Sequence, residues 1–284
     1  MADEEGDPAE PHGTISMSIL VRAMNQLYGP FAAMDFLKRH PFPVVARLER
    51  VVAVSFAFPE SVLRPLVPPG LEIDTYEGLG FVTVALVWTR ELRPAGFPAG
   101  LGQDFFLAGY RIFTRMTDDS GRRLRGLKIL ASETDRRRMV WLGNRMTGYE
   151  YRRVKVDIGS RGTSTRIHTT RNDGTTSLDL TFDDRGGDIA LPDGSPFPDW
   201  RAARRFAGPM PFTFSPRADG SFVVIEGNRA DWKPRPVELE SWQVGIFDES
   251  PLKGIAALPA NAFAVDNIPY RWERGRIVTP GGAT

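Results

Sequence analysis

Short runs of β-branched and apolar residues, separated by turn sequences, dominate this chain from about residue 51 to residue 247. Alternating apolar and polar residues between turn signals are typical of strands in antiparallel sheets. The segment from Thr165 to Leu180 predicts a hairpin, because Asn172-Asp173-Gly174 lies at its centre. The sequence therefore predicts a mainly β fold, a β-rich α+β class, in which a large antiparallel sheet system closes or stacks on itself. The strand runs are Val51–Phe58, Phe81–Thr89, Tyr110–Met116, Leu124–Ala131, Arg153–Ile158, Ser164–Thr170, Ser177–Phe182, Ser221–Glu226 and Val237–Phe247.

A few helices are predicted around the strands. Apolar residues at helical spacing indicate a helical region within Ile15–Arg39, and Pro59–Leu66, Arg136–Met146 and Asp199–Phe206 each read as a short helix. The first fourteen residues are acidic and rich in proline and glycine, which is typical of a disordered tail. We therefore expect a tail and helical extension over residues 1–43, followed by a single β domain over residues 44–284.

Composition excludes several classes of function. The net charge of +1 provides no field that would favour nucleic acid or an anionic membrane surface. The chain has no cysteine, so thiolate catalysis and thiolate metal sites are excluded, and its three histidines show no metal-ligand spacing. Neither a secretory signal nor a membrane span is predicted, so a cytoplasmic protein is expected. Because no metal-ligand spacing is found, we expect no metal, and we expect no cofactor. The histidines are His12, His40 and His168.

Lys128 lies in the middle of the apolar run Leu124–Ala131. Alternation along a strand places Lys128 on one face with Leu124, Gly126 and Leu130, and Leu127 and Ile129 on the other face. An amine buried on such a face acquires a lowered pKa and can attack a ketone to form a Schiff base. The alternative is that the side chain extends along the sheet edge to water.

Three stretches, taken together and in order, resemble the acetoacetate decarboxylase-like superfamily, and most of all its bacterial YqjF-like branch. Phe58–Glu72 resembles the short helix and following Leu-x-Pro-x-x-Leu-Glu of that group, and Tyr110–Thr114 resembles its central strand. Arg125–Ala131 resembles the strand that carries the Schiff-base lysine of the decarboxylases. The resemblance implies a cone-like β-barrel of large curved antiparallel sheets around a central cavity, with peripheral helices outside. It also implies that Lys128 lies in that cavity as the reactive amine and that Arg111 binds a substrate carboxylate.

The chain departs from the decarboxylases at several positions. Ile129 follows Lys128 where the decarboxylases have a second lysine, and Ala57 stands at the position of their arginine. Their central-strand glutamate aligns near Phe106 or Leu107. The resemblance therefore implies a Schiff-base lyase, aldolase or dehydratase acting on a small carbonyl metabolite, rather than a true acetoacetate decarboxylase.

Two candidates for proton transfer and two other functions remain open from the sequence. Glu240 and Glu133 are the candidate acid–base residues for a carbonyl substrate. The first alternative function is a hydrophobic pocket that binds or cyclises a metabolite without Schiff-base chemistry. The second is a structural or interaction protein, with a homo-oligomer joined through the helical region Ile15–Leu37 as one form of it.

Overall fold

The computed structural model describes residues 36–208 and 210–281 as fifteen strands and three short α-helices. The strands are β1 (Val44–Pro59), β2 (Glu72–Ile73), β3 (Leu79–Pro94), β4 (Gln103–Thr117), β5 (Arg123–Thr134), β6 (Tyr151–Arg153), β7 (Lys155–Arg161), β8 (Ser164–Thr170), β9 (Thr176–Asp183), β10 (Phe212–Pro216), β11 (Phe222–Arg229), β12 (Arg235–Pro236), β13 (Glu238–Val244), β14 (Leu258–Trp272) and β15 (Arg276–Val278). The helices are α1 (Glu60–Leu63), α2 (Arg137–Met146) and α3 (Trp200–Phe206), and 3-10 turns occur at Arg64–Leu66, Ala99–Leu101 and Gly245–Asp248.

The larger sheet closes on itself. Its strands follow the order β14-β1-β3-β4-β5-β10-β11, and β11 pairs again with β14 through Gly227–Arg229. These pairs are antiparallel except β5 with β10, where Phe212 lies beside Gly126. Gly126 is required there, because a Cβ at this position would overlap the backbone carbonyl of Phe212. The result is a ring of strands with an inner face and an outer face.

The smaller sheet, in the order β13-β9-β8-β7, packs against the outer face of this ring. Alternate residues of each ring strand point to the two faces, so Tyr110 and Ile112 of β4 lie in the core between the sheets. They pack with Phe182 of β9 and Phe56 of β1, all of which are buried. This core fixes the outer face of the ring and leaves the inner face to line whatever space the ring encloses.

A β-bulge interrupts β5 at Leu130. Tyr110 of β4 pairs with Ala131, while the next residue, Arg111, pairs with Ile129, so Leu130 has no partner. An extra residue in one strand reverses the faces of every residue beyond it. Glu133 therefore points to the outer face, the same face as Lys128 before the bulge.

The structure confirms the predicted mainly β fold, with large curved sheets, a central cavity and few helices. The helices predicted near Pro59–Leu66, Arg136–Met146 and Asp199–Phe206 are present within one or a few residues of those bounds, and β8 and β9 form the predicted hairpin. Most of the predicted N-terminal helix Ile15–Arg39 lies outside the described residues, as does the predicted tail.

Candidate active site

The ring encloses one large cavity of about 1180 Å³. Its wall comes from the inner faces of β1, β3, β4, β5, β11 and β14, and α2 covers one side. Most of the lining is aliphatic or aromatic. Phe97, Leu101 and Trp141 lie on the segments that border it, and each is more than 40% exposed, so this rim faces solvent.

The charged side chains of this cavity are all basic. Among the described residues that line it are five arginines and His40, and there is no aspartate, glutamate or lysine. Arg137 and Arg138 of α2 are exposed at the rim. Arg93 is already bonded to the carbonyl oxygens of Glu91 and Phe97. Arg111 and Arg229 remain as the cations that face the interior of the cavity.

Arg111 is largely buried, and it lines the cavity. Its guanidinium forms no ion pair with a described residue, and its Nε is buried without a hydrogen-bond partner. Burial lowers the pKa of this guanidinium. A charge without a counter-ion is costly to bury, and such groups are usually paired or serve a ligand. Arg111 is therefore a charged group of the inner face that lacks a counter-ion among the described residues.

Gly109 makes room for the Arg111 guanidinium. The two residues share the inner face of β4, and a Cβ at position 109 would lie 3.1 Å from Arg111 Nη2. The side chain therefore lies back along its own strand over Gly109. This position keeps the guanidinium against the wall and leaves the lumen in front of it free for a ligand.

Three tyrosines surround the guanidinium. Tyr270, Tyr151 and Tyr149 act electrostatically on Arg111, and all three line the cavity. Burial raises the pKa of Tyr151 to about 12 and that of Tyr149 further, so both phenols are neutral near pH 7. The Tyr149 hydroxyl is bonded to Thr213 Oγ1 at 2.5 Å.

Two glycines hold two of these rings in place. Gly143 of α2 lies directly over the Tyr151 ring, and a Cβ at position 143 would overlap it. Gly227 of β11 lies against the Tyr270 hydroxyl in the same way. Close backbone approach of this kind is possible only for glycine. The hydroxyls of Tyr151 and Tyr270 form no hydrogen bond with a described side chain, so they are available to a ligand.

Lys128 does not line this cavity. Its neighbours Leu127 and Ile129 face the lumen, whereas Lys128 points to the outer face of the ring. Its Nζ donates a hydrogen bond to the carbonyl of Ile129 at 2.7 Å. Burial lowers the pKa of Lys128, and the charge of Glu150 partly opposes that shift. The expectation that this amine lies inside the cavity is therefore wrong, because the two faces of β5 were assigned in reverse.

The two predicted acids also lie away from the cavity. Glu133 is 1% exposed and accepts hydrogen bonds from the Tyr110 hydroxyl and from Ser177 between the two sheets. The bulge at Leu130 turns Glu133 outward. Glu240 is exposed on β13 in the smaller sheet, where it accepts a hydrogen bond from Ser164 Oγ at 2.7 Å. The structure therefore brings Arg111 alone, of the four predicted site residues, to the cavity.

His40 lines the cavity as a buried, neutral imidazole. Burial lowers its pKa, and a hydrogen bond from Nδ1 to the carbonyl of Glu273, at 3.0 Å, partly opposes that shift. Because a carbonyl oxygen only accepts, Nδ1 carries the hydrogen and Nε2 is the basic nitrogen. His40 is the single histidine of the described lining, and its Nε2 is free to accept a hydrogen bond.

Sequence reasoning missed most of this site. Arg229, Tyr149, Tyr151 and Tyr270 lie in segments that show no catalytic spacing, and His40 was considered only as a metal ligand. The signal that could have found the tyrosines was Gly227 and Gly143, which interrupt a strand and a helix. An interior glycine often marks a close approach by another group.

Within residues 36–208 and 210–281, no group of three or more histidine, aspartate or glutamate side chains could hold a metal ion. None of the helices in the described part of the chain is long and apolar enough to cross a membrane.

Comparison with known proteins identifies the family. The family DUF2071, described as an uncharacterized conserved protein (COG2071), matches residues 45–268. The chain belongs to the DUF2071 family. The match begins with β1 and ends within β14, so it covers most of the ring of this DUF2071 chain; the β14 residues 270–272, which pair with β11, lie beyond it. No curated protein is significantly similar to it in sequence.

Solved structures show which fold this DUF2071 chain adopts. An acetoacetate decarboxylase from Legionella pneumophila is 12% identical, with a TM-score of 0.54 over 84% of this chain and 88% of that one. The enduracididine biosynthesis enzyme MppR, complexed with pyruvate, is 14% identical, with a TM-score of 0.54 over 84% and 90%. An acetoacetate decarboxylase-like enzyme from Sphingomonas wittichii RW1 is 15% identical, with a TM-score of 0.53 over 86% and 95%. The DUF2071 chain thus has the fold of acetoacetate decarboxylase-like enzymes, which confirms the resemblance found in its sequence.

Proposed function

We propose that this chain is an enzyme that binds a carboxylate-bearing carbonyl metabolite non-covalently in the cavity, with Arg111 as its anchor. The observation that carries the proposal is the buried guanidinium of Arg111, which has no counter-ion in a lining without acids. A carboxylate accepts two parallel hydrogen bonds from a guanidinium, and the pair is strongest where water is excluded. A carboxylate ligand would therefore supply the missing charge.

The tyrosines supply polar groups for catalysis in place of the predicted acids Glu133 and Glu240, which do not line the cavity. Because the pKa of Tyr151 is raised to about 12, its hydroxyl is a hydrogen-bond donor at neutral pH. Donated to the carbonyl oxygen of a bound keto acid, this bond stabilises the negative charge that develops when an enolate forms. Enolates are common intermediates of decarboxylation, aldol addition and dehydration, so the reaction proposed is of this group.

The size of the cavity supports a larger substrate than a four-carbon keto acid. A volume of about 1180 Å³ lies above the usual range for sites that hold drug-sized molecules, about 300–1,000 Å³. The lining apart from the arginines and tyrosines is mostly apolar. A metabolite with a polar carbonyl acid at one end and an apolar body would fill this space and desolvate the ion pair with Arg111.

A test of binding compares Arg111→Met with Lys128→Ala. Isothermal titration calorimetry with 2-keto and 3-keto acids of increasing chain length identifies a ligand of the wild-type protein. We expect Arg111→Met to weaken the binding of that ligand by about 2–5 kcal/mol, the usual loss for a buried charge pair. Lys128→Ala should change its affinity by less than a factor of three. Equal binding by wild-type protein and Arg111→Met would refute the proposal.

The covalent alternative uses Lys128, and its support is that burial lowers the pKa of that amine. Borohydride reduction in the presence of the same keto acids traps any Schiff base. We expect no adduct at Lys128 by peptide mass spectrometry. A trapped adduct at this residue would restore the Schiff-base mechanism and replace the non-covalent one.

A further inference from the structure

Arg229 is a second cation of the cavity interior that has no counter-ion. It is the last residue of β11, and its backbone pairs with that of Tyr270 on β14. Its guanidinium stacks on the Trp232 ring, with Cζ 4.5 Å from the ring centroid. Its Nη2 is buried and has no hydrogen-bond partner. The stacking fixes the plane of the guanidinium and leaves its edge free for a ligand.

The two guanidiniums line the same cavity, and each has a buried nitrogen without a hydrogen-bond partner among the described residues. The charge of Arg229 lowers the pKa of Arg111, in addition to the larger effect of burial, and Tyr270 lies close enough to act electrostatically on both arginines. Burial likewise lowers the pKa of Arg229. Like charges that share a desolvated space repel each other, and no carboxylate of the described lining separates them.

We propose that Arg111 and Arg229 together bind a head group that carries two negative charges. This inference rests on the proposed function, because it adds a second contact to the carboxylate site at Arg111. A single carboxylate neutralises one guanidinium and leaves the other buried and unpaired. A dianionic head, either two neighbouring carboxylates or one phosphate, neutralises both and removes their mutual repulsion.

The test compares ligands that share an apolar chain and differ in head group. Decanoate carries one negative charge, whereas octylsuccinate and octyl phosphate carry about two at pH 7.5. Affinities are measured by isothermal titration for the wild-type protein, Arg229→Met and Arg111→Met. Arg161→Met, at an exposed position of β7 outside the cavity lining, is the matched control for the loss of one positive charge. Arg229→Lys, which keeps the charge, is the second variant if Arg229→Met does not fold.

We expect wild-type protein to bind at least one dianion at least tenfold more tightly than decanoate. Arg229→Met should abolish that preference while changing decanoate affinity by less than threefold, and Arg229→Lys should retain part of it. Arg161→Met should leave the preference intact. Which dianion is preferred distinguishes a dicarboxylate from a phosphate head.

Two outcomes would overturn the inference, and they differ from failure of the proposed function. If decanoate binding depends on Arg111 but wild-type protein shows no dianion preference, the second subsite is refuted and the carboxylate anchor stands. The subsite is also refuted if Arg229→Met weakens decanoate and dianions equally. If no ligand binds, or if Arg111→Met binds every ligand as tightly as the wild-type protein does, both the second subsite and the proposed function are refuted.

Discussion

Glu133 is expected to stabilise the fold rather than to take part in catalysis, and Glu133→Gln tests this. The carboxylate accepts the Tyr110 hydroxyl at 2.9 Å and the Ser177 hydroxyl, and Arg171 Nε lies 3.9 Å away. A hydrogen bond to a charged group contributes about 1.5–3 kcal/mol, and a neutral one about 0.5–1.5 kcal/mol. Converting two charge-assisted bonds into neutral ones should therefore cost about 2–3 kcal/mol.

The assay is unfolding by urea and by heat. For a chain of this size, about 2–3 kcal/mol corresponds to a lowering of the melting temperature by roughly 4–12 °C. Tyr110→Phe removes one donor, and we expect it to cost about 1.5–3 kcal/mol. In the double variant of Glu133→Gln and Tyr110→Phe, the loss of unfolding free energy should be smaller than the sum of the two single losses, because each change removes part of the same interaction.

Glu240→Gln is the control for the change from a carboxylate to an amide. Glu240 is exposed and bonds only Ser164, so this variant should stay within about 0.5 kcal/mol of wild type. The reasoning is refuted if Glu133→Gln is as stable as the control. It is also refuted if Glu133→Gln keeps full stability and ligand binding but loses turnover, since that pattern belongs to a catalytic acid or base.

Three further predictions concern the ring, the helix over the cavity and the buried histidine. Gly126→Ala should destabilise the protein by about 3 kcal/mol in urea unfolding, because its Cβ overlaps the carbonyl of Phe212; a loss below 1 kcal/mol would contradict this. Gly143→Ala gains about 1 kcal/mol of helix propensity but pushes the Tyr151 ring, so ligand affinity should fall about tenfold with little change in melting temperature. Because burial lowers the pKa of His40 in the folded protein, the unfolded chain binds a proton at this residue at a higher pH than the folded protein does. Stability that is present above about pH 6.5 is therefore lost as the pH falls below it. His40→Gln should flatten the fall in melting temperature between pH 7 and pH 5, and an unchanged slope would refute this assignment.

The class of fold followed from the sequence because strand alternation and turn residues are local properties. The β8–β9 hairpin is an example, since its Asn172–Gly174 turn and the flanking alternation specify it within a few residues. Closure of the ring is different. The pairing of β11 with β14 joins residues about forty positions apart, and no local pattern records it.

The candidate site was less predictable, and β5 shows why. Alternation correctly separated Lys128 from Leu127 and Ile129, but it does not say which face is the inner one. The unpaired Leu130 then reverses the faces beyond it, so alternation alone cannot relate the face of Glu133 to that of Lys128. A bulge of one residue leaves no clear mark in an apolar run. Arg111 lines the cavity, and it was the resemblance, and not the alternation, that selected it over Tyr110.

The pairing of β1 with both β3 and β14 has a consequence for how the protein acquires its binding site. Val52 of β1 lies between Leu86 and Ala264, so one wall of the cavity depends on residues more than two hundred positions apart. Contacts of such large sequence separation form slowly, after much loop entropy has been lost. We therefore expect the cavity to be among the last features to form. A ligand that requires the closed ring binds only the native state, and by mass action it shifts the folding equilibrium of the entire ring.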